Sequence, residues 1–127
     1  MSRLDCLFEP LQSGHLKLKN RLIMAPMATG FDTATMCEYL VARARGGVAL
    51  ITTGEASVHP SGRTGMPNEL RLESDDDIRA LSKLAIEVKR AGAVAILQLN
   101  HAGRYSPGRK VGGQAVAPSS VMSGYTG

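Results

Sequence analysis

Three short apolar runs in this chain each end in residues suited to holding a flat polar ligand. Ala25, Pro26, Met27 and Ala28 close the first run, Gly54, Glu55, Ala56 and Ser57 the second, and Gln98, Leu99, Asn100, His101, Ala102, Gly103 and Arg104 the third. Small residues let backbone amides come close to a planar ring, and a Gln carboxamide sets a donor beside an acceptor. A planar heterocycle with an imide edge matches that chemistry. Gln98 carries the sharper argument: a carboxamide in an otherwise apolar run finds hydrogen-bond partners or costs roughly 1 to 3 kcal/mol, unless it ends the strand exposed. Pro26 has no N–H and discourages further ladder pairing, and Met commonly fills cores. For those two alone, strand termination and packing suffice, and only the coincidence of three strand ends shifts the balance toward ligand contact. His101 and Arg104 could face an anionic or carbonyl substrate, although loop residues of these types are often solvated or paired locally.

Other chemistries find no support. No GxGxxG follows a strand, and GxxxxGK[ST], GxSxG and HExxH are all missing. Dinucleotide, P-loop, serine-hydrolase and zinc-protease readings therefore lose their main signatures. Cys6 and Cys37 have no CxxC spacing or His partner and read as unreactive thiols of a reducing cytoplasm. His15 and His59 read as surface residues, Glu55 and Arg63 as a structural ion pair, and Tyr39 as core.

The elements that position these groups follow from punctuation and period. Residues 21–25 (RLIMA), 48–53 (VALITT) and 94–99 (VAILQL) are nearly continuous apolar runs bounded by Gly or Pro, the pattern of buried parallel strands. Ser74 heads three aspartates, and Ile78, Leu81, Leu84, Ala85 and Val88 recur at helical spacing before Lys89, Arg90 and Gly92. That arrangement predicts a capping box, charges matched to the helix dipole and a left-handed glycine stop. A shorter helix over residues 34–45 offers Met36, Tyr39, Leu40 and Ala44 to one face. The order strand, helix, strand, helix, strand gives an α/β fold with crossovers long enough for a parallel sheet. Residues 103–127 show neither period and read as a loop.

The 127 residues carry 43% hydrophobic and 20% charged residues, which fits one small domain. No stretch suits a membrane span or a secretory leader. Fifteen Lys and Arg against eleven Asp and Glu leave +4, spread along the chain. The one basic cluster, residues 104–110, holds a single aromatic, Tyr105, so a nucleic-acid partner is not expected.

LFEPLQSGHLKLKNRLIMAPM, YLVARARGGVALITTGEASVHPSGR and QLNHAGR together resemble the N-terminal part of the old yellow enzyme family, nearest its bacterial NADH:flavin oxidoreductase and 2,4-dienoyl-CoA reductase branch. The resemblance runs through nearly the whole chain. It implies an FMN-dependent (β/α)8 barrel, here residues 1–127 as an incomplete N-terminal portion: about three parallel strands, two helices and an N-terminal extension. It implies that Pro26, Met27 and Ala28 lie along the flavin, that Gln98 bonds its pyrimidine edge, and that Ala56 supports the same side. His101 and Arg104 become substrate-side candidates, NAD(P)H the co-substrate, and an activated alkene such as an enone or dienoyl thioester the small-molecule substrate. No catalytic residue carries over, because the family's carbonyl-binding His/His or His/Asn pair lies on a later strand.

Two departures matter. The loop between Met27 and the first helix is shorter than usual in the family, and Ala28 occupies the position where a Cys or Thr would tune the flavin. A (β/α)8 barrel needs about 250 residues and usually binds cofactor phosphate on loops after strands seven and eight. Low FMN affinity of the chain alone is the expectation, with self-association or pairing with a complementary barrel half through open sheet edges. The alternatives are a non-catalytic half-barrel or gene fragment, and an unrelated α/β domain for a phosphorylated ligand.

Overall fold

The computed structural model describes residues 4–121, 123 and 124. The predicted loop over 103–127 therefore falls partly outside the described residues. After a single 3-10 turn at Asp5–Phe8, strands β1 (Leu11–Ser13) and β2 (Leu16–Leu18) form an antiparallel hairpin. Gly14, at φ +57°, opens its two-residue connection, where a positive φ is needed and a Cβ would be strained. The hairpin packs on the first residues of the sheet: Leu18 is buried with Ala49 and Leu50, and Leu11, Leu16 and Val94 close around them.

The main sheet is parallel. Strand β3 (Ile23–Met24) leads through α1 (Thr33–Arg45) to β4 (Leu50–Ser57), followed by the two-residue β5 (Leu70–Arg71), α2 (Asp75–Arg90) and β6 (Val94–Asn100). Strand β4 is central. It pairs with β6 along its whole length, with β3 at its start and with β5 at its end. The strand–helix order expected from the sequence is thus present, and the fold is an α/β arc of a (β/α)8 barrel.

Both helices form for local reasons. Asp32 caps α1 through Oδ1, which accepts the Thr35 N–H at 2.9 Å, and Met36, Leu40 and Ala44 recur every fourth residue on the buried face. In α2 the Asp77 carboxylate accepts the Ser74 N–H at 3.0 Å and the Glu73 N–H at 2.9 Å, closing the predicted box. Gly92 takes φ +89° just past the helix. One core joins the two helices to the sheet: Met36, Leu40, Ala44, Leu84 and Val88 around Ile51 and Ala93. Tyr39 only flanks this core; its ring carries the Arg43 guanidinium at 3.4 Å and meets Phe31 edge-on at 5.5 Å.

Several boundaries differ from expectation. Strand β3 is two residues rather than five, because it pairs only with Leu50 and Ile51. Gly54, Glu55, Ala56 and Ser57, expected just after the second strand, lie inside β4, since β6 continues beside them to Asn100 and β5 adds a second partner at Ala56 and Ser57. The loop after β6 contains two 3-10 turns, Gly103–Tyr105 and Gly108–Val111.

Candidate functional site

Between Thr52 and Glu55 the ladder with β6 shifts register: β4 advances three residues while β6 advances two. This bulge spans Thr53 and Gly54, and the Thr53 hydroxyl accepts the Gln98 N–H at 3.4 Å. Gly54 is there because the chain leaving β3 lies against it. A Cβ at residue 54 would stand 2.6 Å from the Met27 carbonyl oxygen and 3.2 Å from the Ala28 Cα. The backbone after β3 is thereby seated on the bulge. Pro26, Met27 and Ala28 are exposed, and the N–H groups of Met27 and Ala28 have no acceptor among the described residues.

Parallel pairing sets Gln98 opposite Glu55, so both side chains leave the same face of the sheet, the face of Ile23, Leu50 and Val94. Gln98 is exposed and its carboxamide makes no hydrogen bond to a described residue. Ala56 pairs with Leu99 and is fully buried, so its methyl points to the opposite face from Gln98. Support from Ala56 to a ligand on the Gln98 side is confined to its backbone. The strand ends thus present, on the two sides of β4, an exposed carboxamide from β6 and, after β3, two backbone amides without an acceptor among the described residues and an exposed Met27 side chain. That donor set fits the polar edge and flat face of a flavin ring.

His101 and Arg104 are tied locally. His101 Nδ1 accepts the Gly103 N–H at 3.0 Å, and its Nε2 lies 3.2 Å from Ser61 Oγ. Arg104 Nη2 donates to the Tyr105 hydroxyl at 3.2 Å. Glu55 and Arg63 do not pair. Arg63 instead binds Glu73 through Nε, at 2.8 Å, and Nη2, and its Nη1 reaches the Val111 carbonyl at 3.5 Å. The physical reason is position: Glu55 stays on the open sheet face while Arg63 turns toward the segment entering α2. The Arg63 hydrogen bonds hold the Glu73 carboxyl below its usual range against the opposing effect of burial, with help from the Ser57 hydroxyl, and raise Arg63 in turn. Burial pushes the Cys37 thiol up, the direction of lower reactivity.

Gly54 was read from sequence only as one of the small residues closing the second run, not as a bulge, and Ser61 and Glu73 were not singled out. An isolated Gly within a strand pattern is a bulge signal that could have found the first. Nothing local marks Glu73 as the partner of a residue ten positions earlier.

The family described as NADH:flavin oxidoreductase / NADH oxidase matches residues 6–125. A metal reductase of Desulforamulus reducens is 39% identical over 98% of this chain and 19% of its own length. Histamine dehydrogenase from Rhizobium sp. 4-9 superposes with a TM-score of 0.87 at 29% identity, covering 96% of this chain and 19% of that one. The old yellow enzyme homologue of Zymomonas mobilis gives a TM-score of 0.79 at 31% identity, covering 95% and 36%. The chain spans about a fifth of the first two proteins and about a third of the last.

Proposed function

This chain belongs to the NADH:flavin oxidoreductase / NADH oxidase family, and from that premise we propose that it supplies the ring-facing N-terminal arc of an FMN-dependent oxidoreductase. The carrying observation is the Gln98 carboxamide, which has no partner among the described residues, lies on the same sheet face as Glu55 and stands across β4 from the Met27 and Ala28 backbone seated on Gly54. Gln98 binds the imide-like edge, with each hydrogen bond contributing about 0.5–1.5 kcal/mol. The backbone amides of Met27 and Ala28 face the polar rim, and Pro26 with the Met27 side chain lies along the ring and excludes water. FMN, when bound, supplies hydride transfer from NAD(P)H to an activated alkene such as an enone or dienoyl thioester. Arg104, exposed at the mouth, attracts an anionic or carbonyl substrate.

The same surface favours a second reading, in which this arc is inert until a complementary barrel half covers it. Ile23 and Ile96, on the Gln98 face, are 56% and 40% exposed, Leu99 on the opposite face is 60% exposed, and the outer edge of β6 has no strand partner among the described residues. An uncovered parallel edge of this length recruits another strand. Among the described residues no helix is long and apolar enough to cross a membrane. Cys37 forms no disulfide among the described residues, which suits a reducing cytoplasm.

The test is flavin retention. The purified chain is mixed with FMN, alone and with a polypeptide carrying the remaining strands of a relative, then gel-filtered and its visible spectrum recorded. Retention that falls in Gln98→Ala supports the site. Retention in neither mixture refutes it, and retention only with the added polypeptide selects the inert-arc reading.

A further inference from the structure

Among the described residues other than glycine, Asn68 alone has a positive φ, +52°. Asn tolerates that conformation better than most side chains, yet glycine takes it with no steric cost, so the carboxamide standing there calls for a use of its own. It has one across the fold: Nδ2 donates to the Gly30 carbonyl at 2.9 Å, joining the loop before β5 to the loop after β3. The donor's loop is closed on itself. Glu69 Oε1 accepts the Thr64 N–H at 2.9 Å and the Thr64 hydroxyl at 3.0 Å, the Glu69 N–H donates to the Met66 carbonyl at 3.3 Å, and Leu70 pairs with Ala56 on β4. The acceptor's loop has weaker ties: the Phe31 N–H reaches Thr29 Oγ1 at 3.3 Å, and the Thr29 hydroxyl reaches Met36 Sδ at 3.8 Å. Among the described residues, the Asn68 bond is the one hydrogen bond that reaches residues 26–31 from outside that loop and α1.

Both loops line a void of about 20 Å³, the space of a single water, through Ala28, Thr29 and Gly30 and through Met66, Pro67 and Asn68. The bond therefore sets the spacing of two loops already in near contact. The groove beside it holds Asp32, Glu69 and Asp77, and a bound cation is the competing use. The hydrogen bonds oppose that: Asp32 accepts the Thr35 N–H, Glu69 the Thr64 N–H, and Asp77 the Glu73 and Ser74 N–H groups, so each carboxylate serves a turn or a helix start.

We propose that Asn68 is a positioning residue for the flavin site: from the self-closed loop before β5 it holds Gly30, and through Gly30 the Met27 and Ala28 amides that face the flavin rim. Gly54 supports that backbone from one side, where a Cβ would stand 2.6 Å from the Met27 oxygen, and Asn68 fixes it from the neighbouring loop. Met27 and Ala28 lie within one turn of chain before Gly30, so displacement of Gly30 passes to both amides. Preorganisation is the gain, since a loop ordered in advance leaves less ordering to be done when the ligand arrives. The inference rests on the flavin reading of residues 26–28, and its test separates the two.

Two variants remove the donor. Asn68→Gly keeps the positive φ, and Asn68→Asp keeps the side chain's size but at neutral pH has no hydrogen to give the Gly30 carbonyl. Backbone amide relaxation of the full chain, without flavin, is expected to show the order parameters of Thr29 and Gly30 falling from about 0.85 to below about 0.6 in both variants, with Leu40 in the core unchanged. Titration with FMN in the presence of the complementary half should show affinity reduced about fivefold in both, the size of one lost hydrogen bond. In Asn68→Gly the urea midpoint should stay close to wild type, because relief of the φ strain offsets the lost bond. A residue serving stability alone would move the midpoint and leave the affinity unchanged. The role is overturned if Thr29 and Gly30 stay as ordered as in wild type, or if Gln98→Ala weakens FMN binding while both Asn68 variants bind as wild type. Wild-type affinity in all three variants would overturn the flavin reading itself, and this role with it.

Discussion

Adding one methyl at residue 54 tests whether the backbone after β3 is truly seated on the β4 bulge. In Gly54→Ala the new Cβ would lie 2.6 Å from the Met27 oxygen and 3.1 Å from the Met27 carbonyl carbon, below or at the edge of any real Cβ contact. Both obstacles are backbone atoms, so no rotamer change relieves them, and the segment at residues 26–28 must move outward by several tenths of an ångström. Overpacking of this kind costs about 1–3 kcal/mol. Ala gains about 0.5–1 kcal/mol over Gly in a strand, so the net loss is about 1–2 kcal/mol. For a domain of this size that lowers the urea midpoint by about 1 M. Gly113→Ala is the control: its Cβ would meet nothing closer than 3.6 Å and its φ is not positive. Urea unfolding followed by far-ultraviolet circular dichroism reads stability, and flavin titration of the folded protein with a complementary half reads the site. Gly54→Ala should weaken both, with flavin affinity down about tenfold through displaced Met27 and Ala28 amides. A variant as stable as Gly113→Ala, with unchanged flavin affinity, would refute the seating argument.

Arg63→Met leaves the Glu73 carboxylate, whose side chain is 9% exposed, without its main partner, and should destabilise the chain by about 1–3 kcal/mol in urea melts, the 23% exposure of Arg63 reducing the full buried-pair value. Because the pair holds Glu73 below its ordinary value, its contribution is present above the unfolded carboxylate range and is lost as pH falls through the lower folded value; Glu73→Gln should flatten that acid limb in melts run at successive pH values. Leu40→Ala, at a side chain 1% exposed in the joint core of α1, α2 and β4, should cost about 2–5 kcal/mol by the same assay. Gln98→Ala should leave the urea midpoint within about 0.5 kcal/mol of wild type, since the carboxamide is exposed and unpartnered, while reducing flavin retention about tenfold. A destabilised Gln98→Ala would show instead that the carboxamide serves the fold.

The local grammar of the chain reached far. Ser74 and Asp77 determined where α2 begins, Gly92 where it stops, and the four-residue spacing of Met36, Leu40 and Ala44 which face of α1 is buried; each effect acts within one or two helical turns. The three apolar runs and their order were sufficient for a parallel α/β arc, because continuous apolar strands separated by amphipathic helices have few other ways to bury themselves. The motif segments also pointed to flavin chemistry at the strand ends. Tertiary structure alone decided the rest. Strand β4 is longer than its apolar run because β5 and β6 extend its ladder through Glu55 and Ser57, and β5 exists only by pairing with β4. Arg63 found Glu73 rather than Glu55 because the register turns Glu55 to the open face. Ala56 and Gln98, read together as one side of a site, have side chains on opposite faces, since the Thr53–Gly54 bulge resets the alternation between them. Pairing register, bulges and ion-pair partners depend on contacts between residues distant in the chain, and no periodicity within a single segment encodes them.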